Sequence, residues 1–290
     1  MLKALLKTMR PRQWVTKNVF IFAALVFDKQ LLNPSAFLRT LAGFGLFCLI
    51  SSSVYIFNDL ADVEADRQHP EKKNRPIASG RLPVTVAWIA GILLATITLV
   101  TGYLLAPAFG YVIGLYFLIN MAYSKWLKHI PIIDVFVISA GFVLRVGAGV
   151  TLIHVVRFSP WLYVVMTLLS LFLGFGKRRA ELALLMQGAG SHRKVLDGYT
   201  LPLLDQYIMI VSGTTIVAYS LYTFSAPNVP ANHSMMLTIP FVVYTIFRYL
   251  YLIEVEHAGG APEDILLSDR PFQIAMFLWA VSVLVIFYLS

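Results

Sequence analysis

Long apolar runs follow one another along almost the whole chain, each close to the roughly twenty residues needed to cross a hydrocarbon core. The polar stretches between them are short and collect prolines, glycines and charges. Spans are expected over 15–33, 36–57, 84–105, 107–124, 131–153, 160–176, 203–224, 235–252 and 272–289, which makes about nine helices. Pro107 marks the boundary between the third and fourth. The pattern predicts an all-α, polytopic membrane protein in which residues 1–290 form one transmembrane domain, since apolar spans run from end to end and no separate soluble domain is visible. Composition agrees: 58% of residues are hydrophobic and 13% charged, against about a quarter charged in a soluble domain.

Charge fixes the orientation. The net charge of +8 suggests nucleic acid only until the bases are placed on the topology. With the N-terminus in the cytoplasm, the inner loops hold Lys3, Lys7, Arg10, Arg12 and Lys17, then Arg67, Lys72, Lys73, Arg75 and Arg81. They also hold Lys125, Lys128, the block Lys177, Arg178, Arg179 with Arg193 and Lys194, and Arg270. The outer loops hold Lys29, Arg39 and Arg157. This is the positive-inside pattern of a protein of the cell's inner (cytoplasmic) membrane, and it removes nucleic acid as a partner. The basic N-terminal segment leads into further spans without a small-residue cleavage site, so it does not read as a removed signal peptide. The single Cys48 lies in an apolar run and reads as a small buried hydrophobe. The histidines show no metal-ligand spacing.

Topology does not account for the acids of "NDLADVEAD" at 58–66, because negative charge contributes little to orientation. If the second span continues helically, Asn58, Asp62 and Asp66 fall at i, i+4 and i+8 and share a face. Stacked carboxylates repel. A hard divalent cation such as Mg²⁺ offsets that repulsion and commonly bridges one or two carboxylates to phosphate oxygens. Asp59 reads as a further ligand or as support for the others. Arg67, Lys72 and Arg75 follow closely and suit diphosphate oxygens. The competing reading is a solvated loop of mixed charge.

The N-D-x-x-D-x-x-x-D motif, with "RPIASG" after it, resembles the first Asp-rich motif of the UbiA-type intramembrane prenyltransferase superfamily. The resemblance implies a bundle of transmembrane helices with a cytoplasmic polar cap, and Mg²⁺ with a diphosphate leaving group held by Asn58, Asp62 and Asp66. Members usually carry a second Asp-rich motif after the sixth span. Here the matching place reads "GFGKRRAELALL", with Lys177, Arg178 and Arg179 where acids are expected. Such a block suits a phosphate monoester or phosphodiester, or else serves topology alone. "RPRQWVTKN", "YSKWLKHIPIIDVFVISAGFVLRVGAG" and "PEDILLSDRP" occur in order. Together they look like the decaprenyl-phosphate phosphoribosyltransferase branch. That resemblance implies transfer of 5-phosphoribose from phosphoribosyl diphosphate to a polyprenyl phosphate, on the way to lipid-linked arabinose for cell-envelope glycans.

On this reading the Asp-rich motif holds a soluble sugar donor and the lipid is the acceptor. Tyr123 and Lys128 match the branch pattern and are expected to contact substrate. Lys17 reaches a phosphate at the membrane surface or simply snorkels. Asp134 and Arg145 lie in the fifth span, about three turns apart, so they share a face without pairing. Ionisable groups there face the bundle interior or a polar cavity. Asp134 is near the entrance and is assigned to ribose or metal; Arg145 is assigned to substrate or to hydrogen bonding between helices. The resemblance adds Asp264, Asp269 and Arg270 as residues that close over the donor. The lipid chain is expected to enter sideways from the surrounding membrane lipids, and helical membrane enzymes often associate into homo-oligomers. The rivals are a prenyltransferase joining a prenyl diphosphate to an aromatic acceptor, and a transporter with an acidic entrance.

Overall fold

The computed structural model describes residues 1–69, 72–155, 159–186, 188, 193–256, 265 and 268–289. Two short helices, α1 (Leu2–Met9) and α2 (Pro11–Asn18), meet at Arg10. A 3₁₀ turn (Val19–Phe22) and α3 (Ala23–Phe27) follow. Next come α4 (Pro34–Ala61), α5 (Val63–Gln68), α6 (Val84–Leu105), α7 (Pro107–Lys125) and α8 (Ile133–Leu152). The chain continues with α9 (Pro160–Met186), α10 (Leu201–Ser225), α11 (Ile239–Glu254) and α12 (Arg270–Leu289). Among the described residues seven helical segments are long and apolar enough to span a membrane: α4, α6, α8, α9, α10, 234–254 and 270–288.

Helix starts follow local chemistry. Asn33 caps α4 by accepting from the amides of Ser35 and Ala36, with Pro34 in the first turn. Thr200 caps α10 through the amide of Leu203. Ala106 alone separates α6 from α7: it is extended at φ −159°, and Pro107 then begins the new helix.

Two expectations are corrected. The first span is not an α-helix over 15–33: the apolar helical stretch covers Thr16–Phe27 and passes through a 3₁₀ turn between α2 and α3. At the break Asn18 turns inward and is 1% exposed, and Gly149 of α8 packs directly on the backbone of Ile21. The close approach leaves no room for a side chain, and Asn18 takes polar partners inside the fold. The sixth span does not stop at 176 but runs to Met186, so Lys177, Arg178 and Arg179 lie on a helix. Arg178 pairs with Glu181 one turn on, which supports that extension.

The chain forms two compact units. Unit 1 comprises residues 1–25, 30–128 and 144–155. There α4 packs on α6 and α7 around Ile21, Phe47, Ile50, Phe109, Ile113 and Leu152. Small residues permit close helix contact: Ser53 donates to the carbonyl of Gly91 at 2.9 Å. A second cluster (Met9, Ile56, Leu60, Ile77, Leu82 and Ala87) seats α1 and the segment after α5 on the end of α4. Burial of Ile77 and Leu82 folds that segment back, and this returns Arg75 to the acids that precede it. Unit 2 comprises the described residues of 26–29, 129–143 and 156–290. Helix α9 packs on α10 and α11 on α12, around Phe172, Phe175, Leu204, Ile246 and Tyr249.

The glycines of unit 1 give a direct test. Gly149→Ala forces a methyl into the Ile21 backbone and should destabilise by about 1–3 kcal/mol. Gly45 has nothing within 4 Å of an added Cβ, so Gly45→Ala should shift stability by no more than about 1 kcal/mol. Thermal melting of both variants in detergent checks the contrast; equal melting points would remove Gly149 from the packing.

Candidate functional site

The acids of the Asp-rich motif sit where α4 gives way to α5. Asp62 is the junction, at φ −98° and ψ 8°. The helical hydrogen-bond path survives it, since Asp62 N–H donates to Asn58 O at 3.0 Å and Asp66 N–H to Asp62 O at 2.8 Å. Asn58, Asp62 and Asp66 thus keep their i, i+4 succession, but their side chains take different partners. Asp59 and Asp66, two turns apart, are both buried and share one cation: Arg75 Nη1 lies 3.1 Å from Asp59 Oδ1 and 2.7 Å from Asp66 Oδ2. Arg10 adds Nη2 to the same Asp59 oxygen at 2.6 Å, with its guanidinium 4.9 Å from the Tyr55 ring centre. Asp62 points elsewhere and pairs with Lys128 Nζ at 2.7 Å. Asn58 Oδ1 accepts from Ser124 of α7.

Arg10 holds its place by an unusual backbone. It is left-handed at φ 54°, a conformation uncommon for a residue with a side chain. The bend separates α1 from α2 and aims the side chain at Asp59. Neither this contact nor the Asn58–Ser124 bond is visible in local spacing, since each joins segments 49 or more residues apart.

The other predicted residues of unit 1 divide by environment. Arg67 is exposed and pairs with Glu64 at 2.7 Å. Lys17 Nζ lies 3.3 Å from Gln13 Oε1. Lys72 and Tyr123 are half-buried. Arg145 is buried: Nε donates to Asn18 Oδ1 at 2.8 Å and Nη2 to the Tyr116 hydroxyl at 3.0 Å. Its guanidinium lies 4.9 Å and 5.3 Å from the ring centres of Tyr116 and Phe47. This is the hydrogen-bonding role between helices, joining α2, α4, α7 and α8.

In unit 2 the basic block is largely occupied. Arg178, 2% exposed, donates Nε to Asp134 Oδ2 at 2.6 Å, and Asp134 itself is 0% exposed. Arg178 Nη1 also binds Glu181 at 2.6 Å. The Tyr199 hydroxyl donates to Asp134 Oδ1 at 2.8 Å and accepts from the amide of Ile132. Burial pushes the Tyr199 phenol above its ordinary pKa, and Asp134 beside it acts in the same sense. Arg179 bridges Asp205 of α10 and Glu254 of α11, both at 2.6 Å. Of the residues expected at substrate, Arg178 and Asp134 are thus engaged with each other in the interior, and Arg179 is paired with two part-exposed carboxylates. Lys177 is half-buried and makes no ion pair among the described residues. Asp269 is gripped by Arg248 at 2.7 Å and caps α12 through the amide of Phe272 at 2.8 Å. The Arg248 guanidinium holds its carboxyl below the usual range. Arg270 is exposed, and Asp264 lies outside the described residues.

Among the described residues the chain is helical, with several apolar spans and an Asp-rich cluster at a helix junction. The sequence matches the UbiA prenyltransferase family over residues 18–180, and the chain belongs to that family. The decaprenyl-phosphate phosphoribosyltransferase of Mycolicibacterium smegmatis is 34% identical over 306 residues, covering 100% of this chain and 94% of the relative. The protein of the same name from Corynebacterium glutamicum is 33% identical over 291 residues, covering 98% of this chain and 87% of the relative. The fold is shared with a UbiA homolog from Archaeoglobus fulgidus solved bound to GPP and Mg²⁺, at a TM-score of 0.74 and 18% identity, over 98% of this chain and 99% of that one.

Removing one member of a buried ion pair strands its partner and costs about 3–5 kcal/mol. Arg178→Met should therefore lower the melting point steeply. Lys177→Met, one residue earlier and unpaired, should leave it nearly unchanged. Equal melting curves for the two would place Arg178 outside the core of unit 2.

Proposed function

We propose that this chain transfers the 5-phosphoribosyl group of phosphoribosyl diphosphate to the phosphate of a polyprenyl (decaprenyl) lipid, releasing diphosphate. The observation that carries the reading is the unit 1 cluster, in which carboxylates are interleaved with cations of a kind that suits phosphate oxygens. Near-full-length relatives named for this activity support it. We further propose that the reaction occurs at the cytoplasmic side of the inner membrane and supplies lipid-linked arabinose for the cell envelope.

The residues fit a magnesium ion in kind. Asp62, Asp66 and Asn58 offer hard oxygen donors, with Asp59 adjacent. Among the described residues no ready-made group of three His, Cys, Asp or Glu ligands exists; Mg²⁺ characteristically takes one or two protein carboxylates and fills its shell with water and phosphate oxygens. When bound, it would neutralise charge on the departing diphosphate.

The protein's own groups do the rest. Arg75, Arg10 and Lys128, already at the carboxylates, are placed to share diphosphate oxygens. As the ribose C1–O bond breaks, its electron pair leaves with diphosphate. An oxygen of the lipid phosphate then forms the new bond to C1. That nucleophile is already ionised near neutral pH, so no general base is needed. Catalysis rests on positioning and electrostatic stabilisation. In unit 2, Lys177 is the member of the basic block left for a phosphate ligand, and we assign it to the lipid acceptor.

A donor-swap assay tests the reading. Purified protein with Mg²⁺ receives either labelled phosphoribosyl diphosphate and decaprenyl phosphate, or labelled prenyl diphosphate and an aromatic acid. Labelled lipid in the first mixture alone is expected; product in the second alone overturns the substrate assignment. Asp62→Asn, at the more exposed carboxylate, should abolish Mg²⁺-dependent turnover with the fold intact, and Asp66→Asn should abolish turnover while also lowering the melting point, since it strands Arg75. Lys177→Ala should raise KM for the lipid and leave that for the donor unchanged.

A further inference from the structure

We infer that Arg10, Arg75 and Lys128 are built-in counter-ions that keep the acidic cluster closed to a free divalent cation, so that the metal binds only together with the anionic donor. This rests on the phosphoribosyl reading for the identity of the donor but not for the cation balance.

The charges are matched. Asp59, Asp62 and Asp66 pair with Arg10, Arg75 and Lys128, and all the contacts lie between 2.6 and 3.1 Å. Among the described residues these three carboxylates have no other ionic partner. A divalent cation arriving alone must displace a cation or leave two excess positive charges beside three others. Neither is favourable where Asp59 and Asp66 are nearly excluded from water. A donor bearing a diphosphate and a monophosphate reverses the balance. Its complex with the metal is still anionic, so each displaced cation moves from a carboxylate to a phosphate oxygen and stays paired.

The geometry permits this exchange. The three cations are 21–29% exposed, whereas Asp59 and Asp66 are 3–5% exposed. Asp59 and Asp66 are therefore enclosed, while their cations remain partly accessible. Asp62 is 40% exposed and its pair with Lys128 is the most accessible of the set. Asp62 is thus the first carboxylate a metal–donor complex meets.

Metal and donor must then couple, and by linkage each raises the affinity for the other by the same factor. The probe is Mn²⁺, whose free fraction is read directly by electron paramagnetic resonance on the full-length protein in detergent. Wild type should bind Mn²⁺ at least about tenfold more weakly alone than with phosphoribosyl diphosphate, within the usual 5–150-fold range of such couplings. Lys128→Gln frees Asp62 from its counter-ion and should tighten binding of Mn²⁺ alone by a similar factor; Arg10→Gln removes one of the two cations on Asp59, leaving Arg75, and should tighten it less. Because Lys128 is partly exposed, its variant serves if the Arg10 variant fails to fold, as judged by melting. Wild type binding Mn²⁺ equally well with and without donor overturns the inference. So does a folded Lys128→Gln protein with unchanged affinity for Mn²⁺ alone. Coupling to geranyl diphosphate but not to phosphoribosyl diphosphate leaves the counter-ion role standing and overturns the donor assignment instead.

Discussion

A charge withdrawn from water into a helical bundle must bring its compensation with it. In a low-dielectric interior an uncompensated ion costs several kcal/mol, more than most single packing contacts return. The folded chain meets this constraint with polar clusters built inside each unit. Arg145 is wrapped by Asn18, Tyr116 and the ring of Phe47. Arg178 is closed by Asp134 and Glu181. The Asp-rich cluster is matched by three cations. Much of the helix geometry follows: the 3₁₀ break after α2 brings Asn18 inward, and the extra turns of α9 carry Arg178 and Glu181.

What was legible in the sequence follows the range of the interactions involved. The spans of α6, α8 and α10 agree with their apolar runs to within two residues, because hydropathy is local and prolines and glycines punctuate it. The Asp-rich motif is equally local, and its spacing identifies the family. The 3₁₀ turn of the first span is not visible locally, because the contact it makes is with Gly149, more than a hundred residues away. The succession of Asn58, Asp62 and Asp66 is legible, but not their partners: Arg75 joins Asp59 and Asp66 while Lys128 takes Asp62. The i+4 rule knows nothing of either cation.

The basic block shows the same limit in another form. Charge at a helix end reads as a ligand site whenever its partners are distant in sequence. Asp134 precedes Arg178 by 44 residues, and Glu254 follows Arg179 by 75. The block is therefore three residues with three fates. Arg178 is sealed in the interior, Arg179 bridges to α10 and α11, and Lys177, half-buried, makes no ion pair among the described residues. Where other members of the family are expected to carry acids, a chain with bases must supply its own carboxylates, and Asp134 and Glu181 do so.

Exposure separates the charges that hold the fold from those that can be exchanged. Arg178 and Asp134 are 2% and 0% exposed; no incoming phosphate can replace a partner there without first opening the core. Arg10, Arg75 and Lys128 compensate charge just as closely but from less enclosed positions, with 21–29% of each side chain exposed. Such a cation can turn from carboxylate to phosphate at little cost, since both ends of its swing are hydrogen-bonded and anionic. The same pairing rule thus produces a permanent strut in unit 2 and a replaceable counter-ion in unit 1. The difference lies in where water can reach, not in which residues are paired.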